Sequence, residues 1–456
     1  MTRNKLRLAI VGAGPAGIYA ADILLKTERN FDVSIDLFDH LPAPYGLVRY
    51  GVAPDHPRIK GIITALREVL DRGDIRIFGN VRFGTDITLA DLKRHYNAVI
   101  FATGAIRDAE LRIPGIDAHG SYGAADFVSW YDGHPDVPRE WPLEAASVGV
   151  IGNGNVALDV ARILAKHAAD LLPTEIPDNV YRVLKDSPVT DVHVFGRRGP
   201  TSVKFTPLEL RELGELRDVD MIVYDEDFDY DDAAHAAIAG NKQVFVIDKV
   251  LQQWRERETG SASRRLHLHF FAKPVEVLTD EHARVRGLRY ERTAPDGEGG
   301  VVGTGEFREV ELQALYRAVG YFGSPLPDVP FDDVHGVIPN HEGQVLTTDA
   351  DGAQRQMYGV YATGWIKRGP VGLIGHTKSD AMETISHLVN DVGNWWSPAE
   401  PEESSVVELL EERGVEYTTL DGWHRLDQHE IALGEAEGRA RIKVVPREEM
   451  VSISRG

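Results

Sequence analysis

Short apolar runs that end on glycine and then give way to helically spaced apolar positions recur in this chain. Each predicts a strand, a tight turn and the start of a helix. Residues 6–11 are an apolar strand, 12–17 read Gly-Ala-Gly-Pro-Ala-Gly, and 18–25 continue as an amphipathic helix. The signal returns at 147–163, where an apolar run over 148–151 meets Gly152 and Gly154, the small Ala157 stands at the third position, and 156–163 carry helical spacing. Further strands are expected at 33–38, at 75–83 with a break near Gly79, at 98–104 and at 191–195, and helices at 61–70, 208–216 and 380–389. In the last fifty residues the pattern predicts one helix, at 406–412, after an acidic linker over 397–405. The strand at 98–104 ends Ala-Thr-Gly, and the same ending closes an apolar run at 360–364. Two such strand ends suggest one nucleotide-binding domain built from 1–104 and 321–456, the second part with a C-terminal extension, interrupted by another domain over 105–320. The expected fold class is α/β, with two Rossmann-like dinucleotide-binding domains, one inserted in the other.

In the first unit, Gly12, Gly14 and Gly17 open the backbone to a pyrophosphate at a helix N-terminus. The strand at 33–38 is followed by Asp39, 22 positions beyond Gly17, where a carboxylate accepts hydrogen bonds from an adenosine ribose. A free ribose, as in FAD or NAD, is favoured. The second loop, Gly152, Gly154 and Ala157, taken alone is equally a plain turn between strand and helix. The next strand adds chemistry, because 191–195 lead into Gly196-Arg197-Arg198-Gly199-Pro200 where an NAD site carries a carboxylate. A carboxylate repels the 2′-phosphate of NADP, whereas guanidinium groups bind it with charge-assisted bonds. The reading is NADP, against the alternative of a solvated arginine pair. The spacing from Gly152 exceeds the usual ~20 residues, and 166–190 read as an inserted, partly helical segment.

Charge and composition narrow the function. Across 456 residues the net charge is −21, so binding to nucleic acid or an anionic membrane would need a local basic patch. No apolar run approaches the ~18 residues that span a bilayer. The basic N-terminus passes straight into strand and glycine loop, so a cytoplasmic protein is expected. The chain has no cysteine, which removes disulfide exchange and cysteine-ligated iron–sulfur clusters from it.

Other stretches offer candidate chemistry. Residues 41–60 hold four prolines and two glycines, a rigid loop whose candidates are Arg49, Asp55, His56, Arg58 and Lys60, with His56 best suited to proton chemistry near neutral pH. Glu209, Arg211 and Glu212 lie on the helix at 208–216, on what is ordinarily a wet face. Residues 225–232 alternate acidic positions, but Tyr230 and Ala236 stand where a calcium loop needs glycine and glutamate. They read as a solvated acidic loop, and no metal site is expected. His267 and His269 alternate on a strand with no third ligand in view. Residues 241–273 carry seven Lys or Arg against three acids, either a mixed-charge surface or a field that steers an acidic partner. Residues 364–375 are glycine-rich, and Gly372 to Gly375 can present N–H groups to a cofactor at a helix start.

Taken together, GAGPAG, YGLVRYGVAPDHPRIK, GNGNVALDVARIL, GRRGP, LELREL, GVIPN, GWIKRGPVGLIG and the tail from Val406 resemble adrenodoxin reductase and the bacterial ferredoxin–NADP reductases of the same type, flavoproteins of the glutathione-reductase structural class. The resemblance covers nearly the whole chain. It implies an NADP domain inserted in an FAD domain. FAD contacts are implied at Ala16, Asp39, Leu47, Phe83, Trp365, Gly372, Leu373 and Ile374, beside the loop glycines Gly12, Gly14 and Gly17. NADP contacts are implied at Gly152, Asn153, Gly154, Asn155, Val156, Arg197, Arg198, Glu209 and Gly372. His56 and Glu212 match the pair near the flavin and nicotinamide. Asp39 replaces the family's glutamate, Phe83 a valine, and GLIG the commoner GVIG or GVIA. The implied activity is hydride transfer from NADPH to FAD, then single electrons to an acidic iron–sulfur partner such as a ferredoxin, with Arg211 and 241–273 as candidate docking charge. The alternatives are an NADPH-dependent flavin monooxygenase and a non-catalytic flavin- and NADP-responsive docking protein.

Overall fold

Residues 5–371 and 375–456 are described in the computed structural model of the chain, which divides into two units. One comprises Met1–Arg107, His134–Asp136 and Tyr321–Gly456, the other Asp108–Gly133 and Val137–Gly320.

In the first unit the apolar runs become strands buried on both faces, the form a parallel sheet requires. Its seven strands run in the order Asn340–His341, Gln344–Thr348, Gln354–Ala362, Ala98–Phe101, Lys5–Val11, Asp32–Phe38, Ile75–Phe78. The last five are mutually parallel, with Val11 level with Phe38 and with Phe101. The two Ala-Thr-Gly strand ends are thus neighbours, Ala362 pairing with Phe101. Alternate residues of Lys5–Val11 supply two cores. Leu8 and Ile10 pack with Ile18, Leu24 and Ile385 on one face, while Ala9 and Val11 pack with Phe38, Phe101 and Val360 on the other.

Two segments depart from the expected pattern. The strand expected over 75–83 stops at Phe78, because Gly79 exchanges backbone hydrogen bonds with Thr418 and the chain then turns at Asn80, φ 58°. The last fifty residues and their approach hold three helices, Glu403–Glu412, Leu420–Ala436 and Arg447–Arg455, where one was expected. Leu420–Ala436 escaped a hydrophobic-pattern reading because its inward face carries Asp427 and Glu430 beside Trp423 and Leu426. Those carboxylates are buried against arginines: Arg49 is 2.5 Å and Arg441 3.1 Å from Glu430, and Arg67 is 3.0 Å from Asp427.

The second unit has a six-stranded sheet in the order Ser121–Gly123, Ala314–Arg317, Ser147–Ile151, Asp191–Phe195, Arg264–His269, Val219–Ile222, all parallel. A three-stranded antiparallel sheet, Ala272–Thr279, Val285–Pro295 and Val301–Glu311, completes it. The acidic stretch at 225–232 is not simply solvated. Asp227 is buried, accepts a hydrogen bond from the Phe270 N–H and pairs with Arg292 at 2.9 Å.

Candidate dinucleotide sites

Each unit carries the same device at the end of its central strand. In the first, the Gly12 N–H donates to the Phe38 carbonyl, 2.7 Å, and the chain turns at φ 116° into the helix Pro15–Lys26, capped by Gly14. A Cβ on Gly12 would stand 2.4 Å from the Ala102 carbonyl oxygen, and one on Gly17 would stand 2.0 Å from the Gly12 carbonyl oxygen. Only bare backbone fits, and the first-turn N–H groups, which have no intrahelical acceptor, point out of the helix start. Gly46, φ 49°, faces the loop so closely that a Cβ there would come within 3.1 Å of the Gly14 Cα. Such a glycine-lined cradle at a helix N-terminus suits a pyrophosphate.

Asp39 follows the neighbouring strand and is buried. Its Oδ2 accepts from the Ala13 N–H at 2.7 Å and keeps a further lone pair, while its Oδ1 accepts from the Leu41 N–H at 2.9 Å and lies 3.4 Å from His40 Nδ1. Burial works to raise its pKa, but His40 and those two backbone N–H groups outweigh it and hold the carboxyl below the usual range. A carboxylate kept charged at a strand end beside such a loop has the chemistry to accept hydrogen bonds from a ribose. Around it, Leu47 begins the short helix Leu47–Tyr50, Phe83 is buried edge-on to Phe101, and Trp365 is half-buried after Gly364, φ 77°. His56 is buried, with its backbone N–H bonded to the Ala53 carbonyl and its own carbonyl accepting from the Lys60 N–H. Gly372, Leu373 and Ile374 lie outside the described residues.

In the second unit the Gly152 N–H donates to the Phe195 carbonyl, 3.1 Å, and a Cβ on Gly152 would meet the Ala318 carbonyl oxygen at 2.3 Å. Residues 152–156 remain partly exposed, with open space beside Gly154 at the cap of the helix Asn155–Ala165. Asn153 and Asn155 brace this loop: the Asn153 carbonyl accepts from the Lys204 N–H and the Asn155 Oδ1 from the Thr206 N–H. Arg197 and Arg198 are anchored through their carbonyls, which accept from Thr293 Oγ1 and the Phe271 N–H. Neither guanidinium forms an ion pair among the described residues, so both charges are available to an anion. On the helix Pro207–Gly214, Glu209 is buried and Glu212, one turn on, lies 3.7 Å from the buried Arg162, which is itself bonded to Asp159.

His267 and His269, read in the sequence as an alternating pair, belong to a larger cluster. His193 pairs in register with His267, and their rings stack at 4.2 Å; Asp191, His269 and Tyr224 complete the group. Burial, followed by the neighbouring His267 charge, pushes the His193 pKa down to about 3. The third partner that His267 lacked comes from a strand more than seventy residues away.

Two such loops in one chain define a two-dinucleotide oxidoreductase class, and comparison with known proteins agrees. The pyridine nucleotide-disulphide oxidoreductase family matches residues 6–194. The chain is 40% identical to NADPH-ferredoxin reductase FprA of Mycobacterium tuberculosis, covering 98% of this chain and 99% of that one. It is 34% identical to the mitochondrial NADPH:adrenodoxin oxidoreductase of Arabidopsis thaliana, covering 98% and 95%. The solved structure of Mycobacterium tuberculosis FprA in complex with NADPH superimposes with a TM-score of 0.91 at 38% identity, over 99% of this chain and 100% of that one. The chain therefore belongs to the family of NADPH-ferredoxin and adrenodoxin reductases, and it is an oxidoreductase. Among the described residues no helix is long and apolar enough to cross a membrane.

Proposed function

We infer that this protein is an FAD-dependent NADPH:ferredoxin reductase. The observation that carries the reading is the contrast between the two strand ends: a charged carboxylate, Asp39, beside one glycine loop, and beside the other two arginines with no ion-pair partner among the described residues. The first suits the free ribose of FAD and the second the phosphorylated ribose of NADP. When bound, FAD supplies the exchange between a two-electron donor and a one-electron acceptor.

On this reading residues 1–104 and 321–456 hold FAD and 105–320 hold NADP. Gly12, Gly14, Ala16 and Gly17 receive the FAD pyrophosphate, Asp39 its ribose, and Leu47, Phe83, Trp365 and 372–374 the remainder. Gly152 to Val156 receive the NADP pyrophosphate, Arg197 and Arg198 its 2′-phosphate, and Glu209 the ribose side of the site. His56, a buried imidazole, serves the flavin, and Glu212, a carboxylate steadied by Arg162, serves the nicotinamide. Because the chain has no cysteine, the iron–sulfur centre is on a separate protein. An acidic ferredoxin is the partner class, met by Arg211 and the basic stretch at 241–273. The relevant compartment is the cytoplasm.

The test is to purify the protein with its flavin and mix it anaerobically with NADPH or NADH, then add a ferredoxin. The reading requires NADPH-selective flavin bleaching, rapid ferredoxin reduction and slow reoxidation by oxygen. Fast oxygen consumption with no ferredoxin reduction would make it a monooxygenase-type enzyme instead.

A further inference from the structure

The group formed by Asp191, His193 and His267 is not used by the reaction above, and its donors converge. One nitrogen of each histidine and a carboxylate oxygen all lie within 4.8 Å of one another. The rest of the hydrogen-bonding pattern suits metal ligation. His193 Nδ1 is 3.0 Å from His269 Nε2, which leaves its Nε2 as the nitrogen with no hydrogen-bond partner among the described residues. His267 Nδ1 is 2.9 Å from the Tyr224 hydroxyl, and its Nε2 is 3.1 Å from Asp191 Oδ1. Without metal His267 Nε2 donates to Asp191 Oδ1; metal binding displaces that proton, and with each ring's proton then on Nδ1, held by His269 and Tyr224, Nε2 of each ring is the ligand atom. Ligating histidines are typically oriented in this way, with the far ring nitrogen donating to a fixed partner.

We propose that Asp191, His193 and His267 form a site for a divalent transition-metal ion, with zinc as the type case, on the sheet of the second unit. Two neutral imidazoles and one carboxylate, with a fourth position left for water, make a donor set that zinc accepts readily. A tetrahedral ion with bonds of ~2.0–2.1 Å draws its donors to roughly 3.4 Å apart, so the rings rotate and the group tightens on binding. Arg265 competes for the same carboxylate, its Nε and Nη2 each 2.6 Å from the Asp191 oxygens. The Arg265 side chain is 44% exposed, so metal displaces its guanidinium into solvent. The second cluster of this kind, His40, His134 and Asp136, is weaker: Arg447 and Arg82 both hold Asp136, and the His134 Nδ1 lone pair accepts from the Asp136 N–H.

The test is zinc titration of the chelator-stripped, flavin-loaded protein by calorimetry, with metal content measured after dialysis. Wild type should take up zinc at this site. The double variant His193→Gln/His267→Gln should lose it, with an affinity at least ~100-fold weaker. Tyr224→Phe should weaken it about tenfold, as removal of an orienting partner does. Arg265→Gln should bind zinc several-fold more tightly, an effect that casual chelation at the surface would not show. Because Arg265 is exposed, that variant keeps the test open even if the histidine variants lose their fold, which NADPH-driven flavin bleaching reports. No uptake by wild type at micromolar zinc, undiminished uptake by the double variant, or no change in Arg265→Gln would each overturn the proposal.

Discussion

Replacing Arg197 and Arg198 by alanine tests the NADP reading most directly, because the two side chains can be removed without disturbing what holds them. Their carbonyls anchor the turn through Thr293 and Phe271, and those contacts survive truncation. Neither guanidinium pairs with a carboxylate among the described residues, so no buried charge is stranded by the change. A hydrogen bond to a charged group contributes ~1.5–3 kcal/mol, and solvent screening at this exposed turn sets the lower figure. Each substitution should therefore cost ~1.5 kcal/mol of NADPH binding, about tenfold, and the pair about a hundredfold. NADH, which lacks the 2′-phosphate, should be almost unaffected. The assay is anaerobic stopped-flow reduction of the flavin over a range of NADPH and NADH concentrations, repeated at two salt concentrations. The NADPH preference of wild type should shrink as salt rises, and that of the double variant should be small at both. If NADPH and NADH binding fall together, or the double variant keeps its preference, the arginines are not the phosphate site and the pair is only a solvated turn.

Gly12→Ala should yield protein with little bound flavin, since the new Cβ lies 2.4 Å from the Ala102 carbonyl oxygen at φ 116° and a strained backbone of that kind costs ~1–3 kcal/mol by itself; normal flavin absorbance in the purified variant would contradict this. Glu430→Ala strands the buried Arg49 and takes from Arg441 one of its two carboxylates, leaving it Asp427 at 2.7 Å, so thermal or urea unfolding should report a loss of ~3–5 kcal/mol, whereas a loss under ~1 kcal/mol would mean the Arg49 pair is dispensable. Asp39→Asn turns an amide N–H₂ toward one of the two backbone donors and should cost ~1–3 kcal/mol at neutral pH. Because the folded-state pKa of Asp39 is depressed, its contribution is complete above the unfolded value of ~3.9 and is lost as pH falls through the folded value. The gap in melting temperature between wild type and Asp39→Asn should therefore stay constant from pH 7 to about 5 and narrow in stronger acid; a gap that narrowed already between pH 7 and 6 would assign the effect to another group.

The features legible in the sequence are those whose physics is local. Gly12 and Gly152 are required because the backbone of one loop meets a single carbonyl, that of Ala102 or Ala318, and the strand before and helix after supply the context within a few residues. Asp39 and the Arg197–Arg198 pair follow strands that adjoin those loops, so the charge that the proposed ribose contacts rest on sits at a strand end next to the loop and is visible in the sequence. By contrast, the helix Leu420–Ala436 buries Glu430 and Asp427 against arginines that come from 49, 67 and 441. A window over that helix sees carboxylates where a core face should be apolar, and the compensating charges lie outside it.

The histidine group shows the same limit from the functional side. His193 and His267 touch because Asp191–Phe195 and Arg264–His269 are neighbours in a parallel sheet with His193 level with His267, and strand order is a property of the whole unit. Parallel neighbours are joined by long crossovers, so sequence distance says nothing about which side chains share a face. A chain read one segment at a time therefore yields its phosphate loops readily and its cross-strand chemistry poorly. The dinucleotide sites are built from local loops and are carried with the fold, whereas Asp191, His193 and His267 need three side chains to agree across two strands. Their agreement, together with Tyr224 and His269 holding the far nitrogens, goes beyond what packing a sheet face demands, since apolar residues would fill the same space without burying polar rings.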